Sequence, residues 1–187
     1  NLDTGVREDD QEFVDNKIIR EMDMTYDFLT CSSLIQWNPF KDKWLSMPRS
    51  CAERESMEMK SYGKTGSCSA KCGVDRHGHG THTMANICGK EYGVAKAATC
   101  HSLKVLNDFG MGAWGWFGQG INFVVGQKAK YSPSVISGSL GGPGIEPFIK
   151  DIIDHATQED ILVVVAAGNQ GEDACKSTPG FIDSAVV

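Results

Sequence analysis

Residues 77–82 read His77-Gly78-His79-Gly80-Thr81-His82. Three histidines fall within six residues, separated by glycines, and small side chains follow at Thr83 and Ala85. Glycine lets the backbone approach another group closely and adopt dihedrals that other residues avoid. Small residues after it allow a helix to pack tightly. The pattern predicts a histidine held at the mouth of a buried helix, running through Thr83-Met84-Ala85-Asn86-Ile87-Cys88 and stopping at Gly89.

Two distant stretches answer this one. Asp3-Thr4-Gly5 lies near the start, between Leu2 and Val6, and Ala166-Ala167-Gly168-Asn169 follows the apolar run Ile161 to Val165. An aspartate, a histidine and an asparagine, each at the end of an expected strand or the start of an expected helix, form a candidate catalytic constellation.

His101 to Leu106 reads as a strand, Asn107 to Gly115 as a glycine-rich loop, and 117–130 as a helix with Ile121, Val124 and Val125 on one face. Ser134 to Leu140 reads as the next strand and Gly141-Gly142-Pro143-Gly144 as a turn. Phe148, Ile149, Ile152, Ile153 and Ala156 recur at helical spacing, so a helix is predicted over 147–159. Ile161 to Ala167 is an apolar run suited to a strand covered on both faces. Ile18, Ile19, Met24 and Tyr26 fit a short edge strand. Strand, helix, strand, helix, strand implies an α/β architecture with a parallel sheet and right-handed crossovers. Ligands in such sheets sit beyond the carboxyl ends of the strands. Asn107 to Trp116, Gly141 to Gly144 and Gly168 to Gly171 all leave strands at that edge, which is where a site is expected.

The matched pieces resemble, in order, those of the subtilisin-like serine proteases (subtilases), and within them the proteinase K branch. They are Asp3-Thr4-Gly5-Val6, Gly78-His79-Gly80-Thr81-His82, Tyr92-Gly93-Val94-Ala95, Lys104-Val105-Leu106, Ser139-Leu140-Gly141-Gly142 and Ala166-Ala167-Gly168-Asn169. Glu12-Phe13 matches a Glu-Phe pair after the aspartate, while Met84 and Asn86 stand where the family has smaller residues. The resemblance covers most of 1–28 and 75–187 and implies the family's three-layer, parallel-sheet fold.

By that resemblance His79 is the general base and acid, Asp3 orients it and stabilises its imidazolium, and Asn169 donates to the oxyanion. Histidine suits the role because its ordinary pKa, about 6.5, lies near working pH. Phe109, Gly110 and Gly112 are placed on one side of an extended substrate and Ser139, Leu140, Gly141 and Gly142 on the other, with Trp114 lining a pocket for an apolar side chain. The family's serine lies in a Gly-Thr-Ser-Met-Ala type motif, and these 187 residues contain none. Ser139 belongs to the pocket stretch, and Ser177 and Ser184 lack a glycine-rich helix start. The triad's serine is therefore expected outside this stretch.

The remaining expectations follow from composition. Hydrophobic residues make up 41% and charged residues 22%, ordinary for a globular domain. A formal charge of −6 argues against nucleic-acid binding, and no apolar run has the length of a membrane helix. Seven cysteines (Cys31, Cys51, Cys68, Cys72, Cys88, Cys100 and Cys175) fit an oxidising compartment, extracellular or secretory, with connectivity open and the odd one either free or paired outside these residues.

The chain opens at Asn1, almost on the aspartate motif, and ends in Ser184-Ala185-Val186-Val187, which reads as an interrupted strand. A partial peptidase domain over 1–187 is expected, incomplete at both ends, with a Cys-rich insertion at about 29–74. The expected partners are protein or peptide substrates, met by a monomer that binds neither nucleic acid nor membrane. No cofactor is expected for the chemistry. Structural calcium, which subtilases often bind, has Asp183, Glu172 and Asp173 as its candidates, and no metal site is assigned.

His82 is expected to pack and hydrogen-bond, and His77, His101 and His155 to be surface or satisfied residues. Two alternatives stand beside the protease: an inactive subtilase-like peptide-binding protein, and a zinc module built on Cys68, Cys72, His77, His79 and His82.

Overall fold

In a computed structural model the structure describes residues 1–13, 18–25 and 73–187. Tyr26 and most of the 29–74 insertion, with Cys31, Cys51, Cys68 and Cys72, lie outside the described residues. The elements in chain order are β1 (Leu2–Asp3), β2 (Ile18–Asp23), α1 (His79–Cys88), β3 (Cys100–Lys104), α2 (Trp114–Gly126), α3 (Lys128–Tyr131), β4 (Val135–Gly138), β5 (Gly142–Pro143), α4 (Pro147–Gln158), β6 (Leu162–Val165) and β7 (Ser177–Thr178).

The parallel arrangement expected from the order of elements is present. β3 lies between β1 and β2 and runs parallel to both, with Leu2 opposite Leu103 and Asp3 opposite Lys104. β4 and β6 pair in parallel from Val135 opposite Leu162 to Gly138 opposite Val165. Instead of one continuous ladder there are two pieces, because β1 is two residues long and β4 lies beside it without ladder bonds. The spatial order is then β2-β3-β1 followed by β4-β6. Chain connections leave β1's neighbourhood in opposite directions, a topological switch point of the kind that houses sites in open α/β sheets.

Alternation along β3 sends its side chains to opposite faces. Leu103 and the following Val105 join Leu2, Phe117, Ile121, Ile136, Ile149, Ile153 and Val163 in the main core, under α2 and α4. Cys100 joins Val6, Phe13, Met84 and Cys88 in a smaller core under α1. The layers are thus α1, sheet, and the α2–α4 pair. A disulfide between Cys88 and Cys100 ties the end of α1 to the start of β3, and Cys175 is exposed with no disulfide partner among the described residues.

Several boundaries differ from expectation. The second helix begins at Trp114, not 117, and breaks at Gln127 before the short α3. Gly142 and Pro143 form not a free turn but a short antiparallel pairing with Thr178 and Ser177. The β6 run is buried on one face only among the described residues: Val163 and Val165 are enclosed, whereas Leu162 is 47% exposed opposite exposed Val135. Gly89 does end α1, yet its backbone is extended (φ −62°) and not left-handed. What requires glycine there is space: a Cβ would meet Ala85 O and Glu12 Oε2, each at 2.5 Å. Met84 fits because it is fully buried in the smaller core, and Asn86 because it faces outward.

Candidate active site

The site grows from two chain ends brought together at the switch point. β1 stops at Asp3, whose side chain is 1% exposed, and α1 starts at His79, whose side chain is 41% exposed. His79 Nδ1 lies 2.7 Å from Asp3 Oδ1. A carboxylate only accepts, so Nδ1–H donates, and Nε2 is left at the open end of the ring. Asp3 also accepts from Thr4 N at 2.7 Å and from Thr83 Oγ1 at 3.0 Å. The carboxylate is therefore held from three directions and cannot swing away from the imidazole.

Local sequence explains the approach. Gly78 precedes the helix in a left-handed conformation, φ 101°. Gly80 N donates to Thr4 Oγ1 at 2.8 Å, and a Cβ on Gly80 would sit 2.3 Å from Gly5 O. Only glycine at 80 lets the first turn of α1 lie against the chain leaving β1.

Sequence reading missed the carboxylate beneath this turn. Asp75 is 1% exposed. Its Oδ1 accepts from Thr4 Oγ1 (2.8 Å), His77 N (3.0 Å) and Gly78 N (2.8 Å). Its Oδ2 accepts from Thr81 N (2.9 Å) and Thr81 Oγ1 (2.6 Å). Burial by itself would raise the Asp75 carboxyl, but the bonds from Thr81, Gly78 and Thr4 outweigh it and hold the group below the usual carboxylate range. The available signal was an Asp followed at three residues by Gly, just before a helix start, a pattern suited to a side chain capping backbone amides.

A second missed group is Lys104, buried at the end of β3. Its Nζ donates to Thr4 O at 2.6 Å and lies 2.9 Å from Asp108, which also meets Arg76 at 3.0 Å. Burial works to raise the Asp108 carboxyl, and the lysine and arginine together hold it down.

The candidate substrate residues divide into two groups. In the loop after β3, Asn107 N donates to Met111 O, Gly110 N to Asn107 O, and the amides of Phe109 and Met111 to Asn107 Oδ1. The amides of 109–111 are thus used inside the turn, and what it presents outward is the apolar surface of Phe109 and Met111. The turn also touches the histidine stretch, since a Cβ on Gly110 would come within 2.9 Å of His77 Nε2. Gly112 bridges back to Leu106. On the other side, Ser139, Leu140 and Gly141 lie between the end of β4 at Gly138 and the short β5 pairing at Gly142. Trp114, half-buried at the start of α2, stacks edgewise on Phe117 and lies under Gly142, whose Cβ would be 3.2 Å from its ring.

Asn169 is exposed in the turn after β6, next to Gly168 at φ 101°, and its backbone N–H donates to Gln170 Oε1. The hydrogen bonds of Asp3 and His79 run to Thr4, Thr83 and each other, and that of Asn169 to Gln170.

The other histidines sort by position. His77 is exposed, its ring 6.2 Å from that of His79 and at 70° to it. His82, expected to pack, is exposed: α1 buries Gly80, Thr81, Met84 and Cys88, and residue 82 falls on the opposite side. His101 is satisfied by Glu21 at 2.8 Å, and His155 is exposed. Among the described residues no three His, Cys, Asp or Glu side chains converge as a metal site. Of the calcium candidates, Asp173 caps Cys175 N at 3.0 Å, and Glu172 and Asp183 are exposed.

A family model described as the Subtilase family (peptidase S8) matches residues 2–185. A subtilisin-like protease of Coccidioides posadasii is 43% identical over 109 residues, 57% of this chain and 27% of that protein. An extracellular serine proteinase of Thermus sp. is 38% identical over 112 residues, 60% of this chain and 27% of that protein. Among solved structures, a cold adapted subtilisin-like serine proteinase superposes with a TM-score of 0.69 at 25% identity, over 99% of this chain and 51% of that one. The chain thus spans about half the length of the solved relative.

Proposed function

The chain belongs to the subtilase family, and from that premise we propose that the protein is a serine endopeptidase, with Asp3 and His79 as two members of its triad and a serine supplied by sequence beyond these 187 residues. The observation that carries the reading is the 2.7 Å bond from His79 Nδ1 to buried Asp3 Oδ1, with the rest of the imidazole open to a substrate.

Each role follows from chemistry. Asp3 fixes the tautomer with the proton on Nδ1, so Nε2 carries the lone pair that takes the serine proton. When His79 becomes an imidazolium, the buried carboxylate stabilises it. The proton then passes from Nε2 to the leaving amine. Asn169 supplies a side-chain N–H to the oxyanion, the charge that develops on the scissile carbonyl. The backbone of Ser139 to Gly141 receives an extended peptide as an added strand, and Trp114 with the Phe109–Met111 turn gives its side chains apolar surface. These side chains carry the cleavage without a cofactor, and any bound calcium is assigned a structural part.

The substrates are proteins or peptides, cleaved by a monomer outside the cytosol. The Cys88–Cys100 disulfide and a relative named as an extracellular proteinase support that location. No helix among the described residues is long and apolar enough to cross a membrane.

The test uses the full-length protein and a fluorophosphonate probe, which reacts with an activated serine. Labelling that disappears in His79→Ala supports the assignment. Absence of labelling in a folded, full-length wild type contradicts it.

A further inference from the structure

Asp75 touches neither Asp3 nor the open end of His79, yet it is the most heavily bonded carboxylate of the described structure. Five hydrogen bonds reach it: from Thr4 Oγ1, the amides of His77, Gly78 and Thr81, and Thr81 Oγ1. None of these donors is a cation. The full charge is held by amide and hydroxyl dipoles at the start of α1.

Two consequences follow from this placement. The first is electrostatic. His79 is the first residue of α1, and the exposed amides of a helix start carry a partial positive charge that opposes a cation there. An imidazolium on His79 therefore forms against the helix. Asp75 accepts from the Thr81 amide of that turn and from the His77 and Gly78 amides that lead into it, and offsets their charge. The second is mechanical. Thr4 Oγ1 donates to Asp75 and accepts from Gly80 N. The residue after Asp3 and the residue after His79 are thereby tied to one buried group.

We propose that Asp75 is a positioning residue for the Asp3–His79 pair, whose carboxylate neutralises the start of α1 and locks Thr4 to Thr81 so that His79 gains and loses a proton without moving against Asp3. This rests on the protease reading above. The other titratable or charged groups near the pair are Arg7, whose guanidinium comes up to Gly78, His77 and His82 on the same stretch as His79, and the Arg76–Asp108–Lys104 chain, whose lysine bonds Thr4 O. None of them accepts from the amides of the first turn, so none replaces Asp75.

The experiment uses full-length protein with a chromogenic peptide, measured across pH well below the melting temperature. Asp75→Asn keeps the size and removes the charge. The expected result is a fall in kcat of about ten- to a hundredfold with KM within about twofold. The acid limb of kcat/KM moves to lower pH by about half a unit to one unit, because the imidazolium loses a favourable negative charge. Wild-type kcat and an unmoved acid limb in folded Asp75→Asn overturn the proposal. Where Asp75→Asn does not fold, Thr81→Val is read instead. It keeps the carboxylate and withdraws its shortest bond, so kcat falls at constant KM, and wild-type values overturn the proposal equally. The fluorophosphonate controls separate the two levels. A wild type that labels only with His79 intact leaves the outcome to the Asp75 arm, whereas a wild type that neither labels nor cleaves removes both readings.

Discussion

Thr4 and Gly80, 76 residues apart, are joined by a 2.8 Å hydrogen bond from the Gly80 amide to the Thr4 hydroxyl. One member follows Asp3 directly and the other follows His79. The distance between the two candidate catalytic side chains is thus set by their neighbours as well as by their own bond. Thr4 is fully buried, so its hydroxyl has no water to fall back on. Thr4→Val leaves Gly80 N without an acceptor and Asp75 short of a donor. A loss of about 1–3 kcal/mol in unfolding free energy is expected, read by urea denaturation of the full-length protein. A change within about 0.5 kcal/mol contradicts the account.

Gly80→Ala tests the close approach itself. The new methyl would stand 2.3 Å from Gly5 O, a backbone atom with little freedom to retreat. Destabilisation of about 1–3 kcal/mol is expected, with a fall in labelling rate as α1 is pushed off Asp3. Equal labelling and equal stability contradict the geometry.

The helix opened by His79, the helix over Pro147–Gln158 and the apolar strand Leu162–Val165 were legible because each is announced locally, by glycine punctuation, by apolar spacing or by a proline at the first helical turn. The family's motifs made Asp3 and His79 legible as a pair before their bond was seen. The start of α2 was not, since it is preceded by Ala113, which offers no side-chain cap, and is hidden in a glycine-rich stretch. The Gly142–Thr178 pairing was not, because two-residue strands carry no period and their partners lie far off in the chain. Asp75 reads locally as a cap for the residues that follow it, and what ties it to the site is its bond from Thr4, 71 residues away.

The stability of the fold toward acid carries the signature of Asp75. Its folded carboxyl lies below the ordinary value of about 3.9. A depressed carboxylate adds stability that is fully present above the unfolded value and is lost as pH falls through the folded one. The stability of the wild type is therefore expected to decline below about pH 4, and that decline should be shallower in Asp75→Asn. Parallel stability-versus-pH curves for the two proteins run against this.

The disulfide is expected to matter for stability and little for chemistry. Cys88 and Cys100 are 12 residues apart and both buried. Closing a loop of this length restrains the unfolded chain by about 3 kcal/mol. A double change to serine should lower the unfolding free energy by about that amount while the labelled fraction of folded protein stays constant. Loss of labelling without loss of stability points to a catalytic part that the structure does not give it.

Asn169 stands exposed after β6. Asn169→Ala is expected to reduce kcat by about a hundred- to a thousandfold with little change in KM, the pattern of a donor used only in the transition state. A raised KM at constant kcat would instead make Asn169 a ground-state binding residue.

The most direct measurement is the rate of peptide hydrolysis by full-length wild type, Asp3→Asn and His79→Ala, with fluorophosphonate labelling of each and a thermal melt to show that each is folded. The bond between Asp3 and His79 predicts losses on the order of ten-thousandfold or more for either change, with labelling abolished in His79→Ala. Folded variants that cleave and label as wild type does would show that the 2.7 Å pair is not the catalytic one.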